Sequence, residues 1–375
     1  MNYSSKGLSE PTQQQEAWQT RKRRLDEVIR KKRHTSAADA LTDLWSTKSS
    51  GRPDSIKVRP QFVCSWRPSK DEDLVSPLLP GLIRSRGIAL RFYLLALFAA
   101  QSLPATGRPD RPDLPFTQGG DATGPGWVDL IALDVAYHRG TGTYEPPTRI
   151  ERDFITAYKR QITKALSSLR ERGLIEIPTR PGGRYDYLGF TLMSELGSGP
   201  YQSARRYTVP SRGIGIPREF FTSGWINALT PSEIATWLAL RFLKWWMPTS
   251  HDQRGVFLYG QTRETYFGLK KDAYQDSCRV LVRLGLLEDV TDAPALGEES
   301  ADPTPFDQAP TLSLAFADLA GKATREGPYK PKRFKFTDDR LADDGVTVVR
   351  DTLPKLVEDA QQERQITAHQ RRQRQ

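Results

Sequence analysis

Apolar residues between positions 158 and 177 recur with the period of an α-helix. Four of them fall at i, i+3, i+4 and i+7, namely Ile162, Ala165, Leu166 and Leu169. This spacing places them on one face of a helix. Gly173 follows, and glycine ends helices readily because the left-handed conformation costs it little. The apolar run at 174–177 then predicts a strand, so the pattern indicates a helix, a glycine stop and a strand.

The same pattern recurs in residues 277–290, near the other end of the chain. Aligning Gly285 with Gly173 places apolar residues at matching positions: Leu281 on Leu169, Leu286 on Leu174 and Leu287 on Ile175. The separation between the two stretches is far longer than one repeat unit of a solenoid. It therefore predicts two duplicated domains.

Each copy is preceded by a strongly apolar stretch and then by a shorter one. Residues 83–101 predict a helix that is apolar nearly all round, which is typical of a helix at the centre of a domain. In the second copy, Thr230-Pro231-Ser232-Glu233 has the pattern of a helix start with a capping box. Residues 127–137 and 261–269 predict the short helix before the turn in each copy.

Polar and basic side chains occupy the other faces of the two repeated helices, where a partner can reach them. In the first copy these candidate contact residues are Lys159, Arg160, Gln161, Thr163, Lys164 and Ser167. In the second copy they are Lys270, Lys271, Gln275, Arg279 and Arg283, with Asp276 beside them. The loop at 178–184 adds Arg180 and Arg184. The second set is less basic than the first.

The order of helix, glycine, strand and Pro/Gly/Arg loop resembles the winged helix-turn-helix of GntR-like and MarR-like DNA-binding regulators. The residues that match are Ala165-Leu166, Leu169 and Gly173-Leu174-Ile175. The resemblance implies a mainly α fold with small β wings, in two tandem winged helix-turn-helix domains. It also implies a recognition helix that presents side chains to base edges in the major groove. The alternative reading of these residues is an amphipathic helix that leads into a strand without any DNA contact.

The two-domain plan, over about residues 77–351, resembles double winged-helix plasmid replication initiators. This resemblance implies sequence-specific binding of double-stranded DNA at repeated origin sites, with host replication proteins as partners. One alternative is a transcriptional regulator that binds an operator and works with RNA polymerase, and a homodimer is left open. Another is a protein-assembly module like the small partner subunits of condensin-like complexes. The basic face at 158–170 argues against the assembly module.

Composition favours a polyanionic partner. The 375 residues include 55 Lys and Arg against 45 Asp and Glu, a net charge of +10 with a pI near 9.5. The two cysteines, Cys64 and Cys278, offer neither a disulfide framework nor zinc spacing, which predicts a cytoplasmic protein. DNA binding would make it nucleoid-associated. The N-terminus lacks a signal-peptide pattern. The most apolar run, 88–100, is too short for a membrane span.

The predicted boundaries are a basic N-terminal extension and linker (1–76), a first domain (77–212), a second domain (213–350) and a polar, basic C-terminal tail (351–375). Both tails are expected to be disordered, although residues from Lys355 onward have the pattern of a polar helix. The charge-dense stretch 18–34 is expected to be a weakly docked helix or an arm along phosphates. The acidic stretch 289–308 would be repelled by DNA.

Catalytic chemistry is not indicated. The histidines are scattered without metal-ligand spacing: His34, His138, His251 and His369. The sequence has no phosphate-binding P-loop, no nucleophile elbow and no zinc-protease motif. We therefore expect a protein that is not an enzyme and that needs no cofactor.

Overall fold

The computed structural model describes residues 13–46, 54–66, 73–84, 87–102, 108–116, 124–132, 150–196, 205–248, 251, 255–258, 260–291 and 331–373. Within these ranges the chain is mainly α-helical with short antiparallel strands, as the sequence predicts. The first helices are α1 (Gln13–Arg30), α2 (Arg33–Ser46), α3 (Pro60–Val63), α4 (Leu79–Arg84), α5 (Ala89–Ser102) and α6 (Ile150–Glu171). The later helices are α7 (Glu219–Thr222), α8 (Trp225–Ala228), α9 (Pro231–Trp246), α10 (Gly260–Phe267), α11 (Lys271–Arg283) and α12 (Gly345–Gln373).

The strands form three small antiparallel pairs. Their bounds are β1 (Ser55–Val58), β2 (Ile175–Glu176), β3 (Thr191–Leu192), β4 (Ile214–Pro217), β5 (Leu287–Asp289) and β6 (Phe334–Phe336). The pairs are β1 with β4, β2 with β3, and β5 with β6. The first pair joins the predicted N-terminal extension to the predicted second domain, so residues 55–58 of that extension are part of the folded structure.

Helices α5 and α9 lie at the centre of the core. Nearly all side chains of α5 are buried, as the apolar pattern predicts. The predicted helix at 83–101 is nevertheless divided, because α4 ends at Arg84 and α5 begins at Ala89. The capping box of α9 is confirmed. The Thr230 hydroxyl accepts from the Glu233 backbone N–H at 3.3 Å, and the Glu233 carboxylate accepts from the Thr230 N–H at 2.9 Å.

The expectation of disorder is wrong for residues 13–17, which belong to α1. Of the two alternatives for the stretch 18–34, the structure has the docked helix, and α2 follows it. Trp18, Leu25 and Val28 of α1 are buried, and α1 packs along α12. Arg21 donates to both carboxylate oxygens of Glu233, at 2.7 and 2.8 Å. Helix α12 therefore covers the narrow apolar stripe of α1. Arg21 of α1 forms an internal ion pair and does not contact phosphates.

The C-terminal tail is helical up to Gln373, so the expectation of disorder is wrong there as well. The polar helix predicted from Lys355 onward is confirmed as part of α12, which starts at Gly345. Its buried residues are Val346, Val349, Leu353 and Leu356. These residues supply the apolar partner surface for α1.

A buried ion pair joins the segment after β1 to the segment after β3. The Glu195 carboxylate is 0% exposed and pairs with the Arg59 guanidinium. Arg59 also donates to the carbonyl and hydroxyl oxygens of Thr208, at 2.8 and 2.9 Å. Burial raises the pKa of Glu195, and the positive charge of Arg59 acts in the opposite direction. The Arg59 guanidinium therefore neutralises the Glu195 carboxylate, whose burial without a counter-charge would destabilise the fold.

Replacing Arg59 with Met is expected to lower the free energy of unfolding by about 3–5 kcal/mol, because it leaves a buried carboxylate without its counter-charge. Urea denaturation near neutral pH measures this loss. A carboxyl whose pKa is raised by folding binds more protons in the folded state, so its contribution to stability falls as pH rises above the unfolded pKa. The loss in Arg59→Met should therefore be smaller at about pH 5 than at about pH 8.

Arg218→Met is the control, because Arg218 pairs with Glu219 at 2.8 Å and the two side chains are 45% and 34% exposed. An exposed pair of this kind contributes about 0–1 kcal/mol. Equal losses in the two variants, or a loss in Arg59→Met that does not change with pH, would contradict the assignment.

Candidate nucleic-acid interface

Helix α6 has one buried face and one polar face, as predicted. Ile162, Leu166 and Leu169 are buried, and α6 packs against α5. The candidate contact residues remain accessible: Lys159, Arg160 and Lys164 are exposed, and Gln161, Thr163 and Ser167 are half-buried. The buried stripe fixes the rotation of the helix, so the polar side chains face away from the core.

A glycine stop and a hairpin follow α6. Gly173 has a φ of 67°, the left-handed conformation that ends the helix. The loop at 178–184 forms the tip of the hairpin between β2 and β3. The Gly183 N–H donates to the Arg180 carbonyl at 3.1 Å, and Gly182 has a φ of 88°. Proline followed by a glycine with positive φ is the sequence of a type II turn.

Two side-chain contacts hold the hairpin against α6. The Arg170 guanidinium lies 4.2 Å from the centre of the Tyr185 ring, and Ser167 Oγ lies 3.5 Å from Tyr187 Oη. The Tyr185 side chain is 44% exposed, which is unusual for a large aromatic residue. These aromatic residues were not among the predicted contacts. The alternation of charged residues with tyrosine at 184–187 was the available signal.

We call the joint surface the α6–hairpin surface. It comprises Lys159, Arg160, Thr163, Lys164, Ser167 and Arg170 of α6 with Arg180, Arg184, Tyr185 and Tyr187 of the hairpin. Arg180 donates to the Asp186 carboxylate at 2.8 Å, and this bond holds the pKa of Asp186 below its usual value. Arg160, Lys164 and Arg184 form no ion pair with any carboxylate in the described part of the chain. Their charges are therefore available to an anionic partner.

The second unit repeats the arrangement of helix, glycine and strand. Helix α11 packs against α9, and Gly285 has a φ of 73°. The predicted helix at 261–269 is confirmed as α10. Cys278 is buried as predicted, and burial raises its pKa to about 12, so the thiol acts as an apolar side chain. Both cysteines are free.

The polar face of α11 differs from that of α6 because α12 crosses it. Lys270, Lys271 and Gln275 are exposed. Arg283 lies 2.6 Å from an Asp359 carboxylate oxygen, and Arg279 lies 3.3 Å from Glu363. Two of the predicted DNA contacts are thus paired with carboxylates of the same chain. This pairing was not predictable from local pattern, since the partners lie about 80 residues apart.

Several predictions differ from the structure or fall outside its described part. Residues 127–130 form a turn instead of the start of a helix, and residues 133–137 are outside the described ranges. Most of the acidic stretch 289–308 also lies outside those ranges, as do residues 311–316, where alternating apolar residues predict a strand. Asp276 is half-buried. The four-part division of the chain stays a prediction.

Two further features concern the described residues, a metal site and a membrane-spanning helix. Over the described ranges, no group of three or more His, Cys, Asp and Glu side chains could hold a metal ion. Within the same ranges, no helix combines the length and the apolar character that a membrane crossing requires.

Comparison with known proteins gives no matching family model, no matching curated protein and no matching solved structure.

A double-mutant cycle tests the contact between α11 and α12 without any DNA. Arg283→Ala and Asp359→Ala should show a coupling energy of about 0.2–1 kcal/mol in urea denaturation, as partly exposed ion pairs do. The coupling should shrink at about 1 M salt, because salt screens exposed charges.

The control cycle combines Arg283→Ala with Glu358→Ala. Glu358 is exposed, neighbours Asp359 and has no ion pair within the described ranges. If both cycles give the same coupling, Asp359 is not the specific partner of Arg283.

Proposed function

We propose that this chain binds double-stranded DNA sequence-specifically through two tandem winged helix-turn-helix units, with the first unit as the principal reader. The observation that carries the proposal is the α6–hairpin surface. It combines a helix whose exposed face carries Lys159, Arg160 and Lys164 with a hairpin that contacts the same helix through its tyrosines and also carries arginines. Major-groove reading by a helix and backbone or minor-groove contact by a hairpin need this combination.

The order of elements in the second unit supports the winged-helix reading. A central helix (α9) is followed by an extended residue, Val256, then by α10, α11 and the β5–β6 hairpin. The backbone of Val256 bonds to that of Phe334 in β6, at 2.7 and 2.9 Å. The first unit has a similar closure, because the Leu192 N–H of β3 donates to the Asp110 carbonyl at 2.7 Å.

Each side chain of the α6–hairpin surface has a distinct role in the proposal. Four side chains of α6 contact base edges: Arg160, Gln161, Thr163 and Lys164. Beside them, Lys159 and Ser167 contact the DNA backbone. Arg184 enters the adjacent groove or contacts phosphate, and stacking of Arg170 on Tyr185 fixes the hairpin relative to the helix. The net charge of +10 supplies the sequence-independent attraction, through release of counterions from DNA.

We further propose that the biological role is replication initiation on a plasmid or other mobile element, in a bacterial cytoplasm and with host replication proteins as partners. The support is that the two reading helices of one chain are unlike. Lys164 of the first unit corresponds to Asp276 of the second, so one chain reads an asymmetric site. Direct repeats suit an asymmetric reader, whereas an inverted repeat requires a symmetric dimer.

Footprinting across the protein's own genetic neighbourhood distinguishes this role from transcriptional regulation. Protection of direct repeats beside an AT-rich tract, at about 20 base pairs per monomer, is expected for an initiator. A single inverted repeat over a promoter would support the operator-binding regulator instead. A protein-assembly role would give no protection.

Arg160→Ala should weaken binding to the preferred site by about 1–3 kcal/mol and relax the preference at one base position, if the guanidinium reads a guanine edge. Selection from a randomised duplex library, followed by titration of the preferred site, measures both effects.

Arg212→Ala removes the same charge from an exposed position outside the α6–hairpin surface. It should leave the base preference unchanged. Should Arg160→Ala weaken all sequences equally, Arg160 contacts phosphate, and its assignment as a base reader is wrong.

A further inference from the structure

The outer face of α11 carries a cluster of cations around a cleft. The cleft lies between α11 and β6, has a volume of about 350 Å³, and is lined in part by Val282 and Phe334. Arg279, Arg283 and Lys332 surround it. Each of these cations is paired with a carboxylate of the same chain: Arg279 with Glu363 at 3.3 Å, Arg283 with Asp359 at 2.6 Å, and Lys332 with Asp289 at 3.7 Å. The cluster is therefore an anion-binding surface that acidic side chains already occupy.

Two of the three carboxylates belong to a part of α12 that is weakly attached. The buried residues of α12 end at Leu356, and no described side chain after it is buried. Ile366 is 58% exposed. Pro354 lies inside the helix just before this point, where it removes one backbone hydrogen bond and permits a bend. The described apolar packing after Leu356 comes from the partly buried Val357 and Ala360, and the segment meets α11 through the ion pairs of Asp359 and Glu363.

We propose that the segment 357–373 is a displaceable cover that acts through its two carboxylates on α11, and that the α11 surface beneath it docks the phosphate backbone of duplex DNA. The inference rests on the proposed DNA-binding function and extends it to regulation of the second unit. The carboxylates of Asp359 and Glu363 occupy positions that phosphate oxygens take in the bound state. DNA therefore competes with the chain's own carboxylates for Arg279 and Arg283.

Charge complementarity identifies the occupant as a phosphate backbone. Lys270 and Lys271 at the start of α11 are exposed and continue the cationic row beyond the part that α12 covers. Arg279 and Arg283 are spaced i, i+4 and lie on the same side of the helix. A regularly charged polyanion can contact such a row along its length. The free first unit captures DNA, and the second unit engages once the cover leaves.

The test compares Asp359→Asn/Glu363→Gln with wild-type protein and with the control double variant Glu16→Gln/Glu358→Gln. Both double variants lose the same charge. Glu16 and Glu358 are exposed and have no ion pair in the described part of the chain. Full-length proteins are titrated against a random-sequence duplex at several salt concentrations. Circular dichroism verifies that α12 remains helical.

The cover variant should bind about 2- to 30-fold more tightly than the control, the range that two partly exposed ion pairs can supply. Its footprint should lengthen on the side of the second unit. Hydrogen exchange in 357–366 of the wild-type protein should speed up when the duplex is added, while α11 becomes protected.

Equal affinity of the cover variant and the control would overturn the proposal. So would continued protection of 357–366 in the DNA complex. Failure of the proposed function gives a different result. In that case the wild-type protein binds no duplex, even at low salt. In that case the cover variant would also fail to bind, and both proposals would be wrong.

Discussion

Helices α5 and α9 have almost no polar face, and this constraint governs the arrangement of the rest of the chain. A helix that is apolar on all sides must be enclosed, because each fully buried aliphatic or aromatic side chain contributes about 1.5–3 kcal/mol relative to exposure. Helix α6 covers α5, and α11 covers α9. Each covering helix buries one stripe and leaves its other face to solvent. The candidate interface is thus the face that α6 leaves exposed when its apolar stripe covers α5.

The N- and C-terminal helices complete the enclosure and tie distant parts of the chain together. Arg21 of α1 joins Glu233, which also caps α9, so one carboxylate serves two structural roles. Arg59 and Glu195 connect the segments that follow β1 and β3. Buried pairs of this kind need both partners, since a lone buried charge is strongly destabilising. The α6–hairpin surface itself depends on the packing of α6 against α5.

Local features were predictable from the sequence. The stripe of α6, the glycine stops at Gly173 and Gly285 and the capping box of α9 each depend on residues close together in the chain. The turn at 127–130 was not predictable, because the Asn227 side chain donates to the Leu130 carbonyl at 3.2 Å and so takes an acceptor that a continued helix would use. A tertiary contact here overrides local propensity.

Polar helices were expected at 18–34, as one of two alternatives, and from Lys355 onward, but their packing against each other was missed for a related reason. The apolar stripe of α1 is narrow and that of α12 is short, so each reads as a solvated, polar segment when taken alone. They become stable because they cover each other across more than 300 residues of sequence. The same separation conceals the pairing of α11 with α12. Candidate DNA contacts can be located on a helix by periodicity, but their accessibility depends on contacts that periodicity does not encode.

The most direct measurement of the central claim is the salt dependence of duplex binding by the full-length protein. If the α6–hairpin surface neutralises about four to six phosphates, log K against log salt should be linear with a slope between about −3.6 and −5.4. This result would support a phosphate-binding surface of the proposed extent. A slope near zero, or no binding to duplex DNA at low salt, would contradict the account.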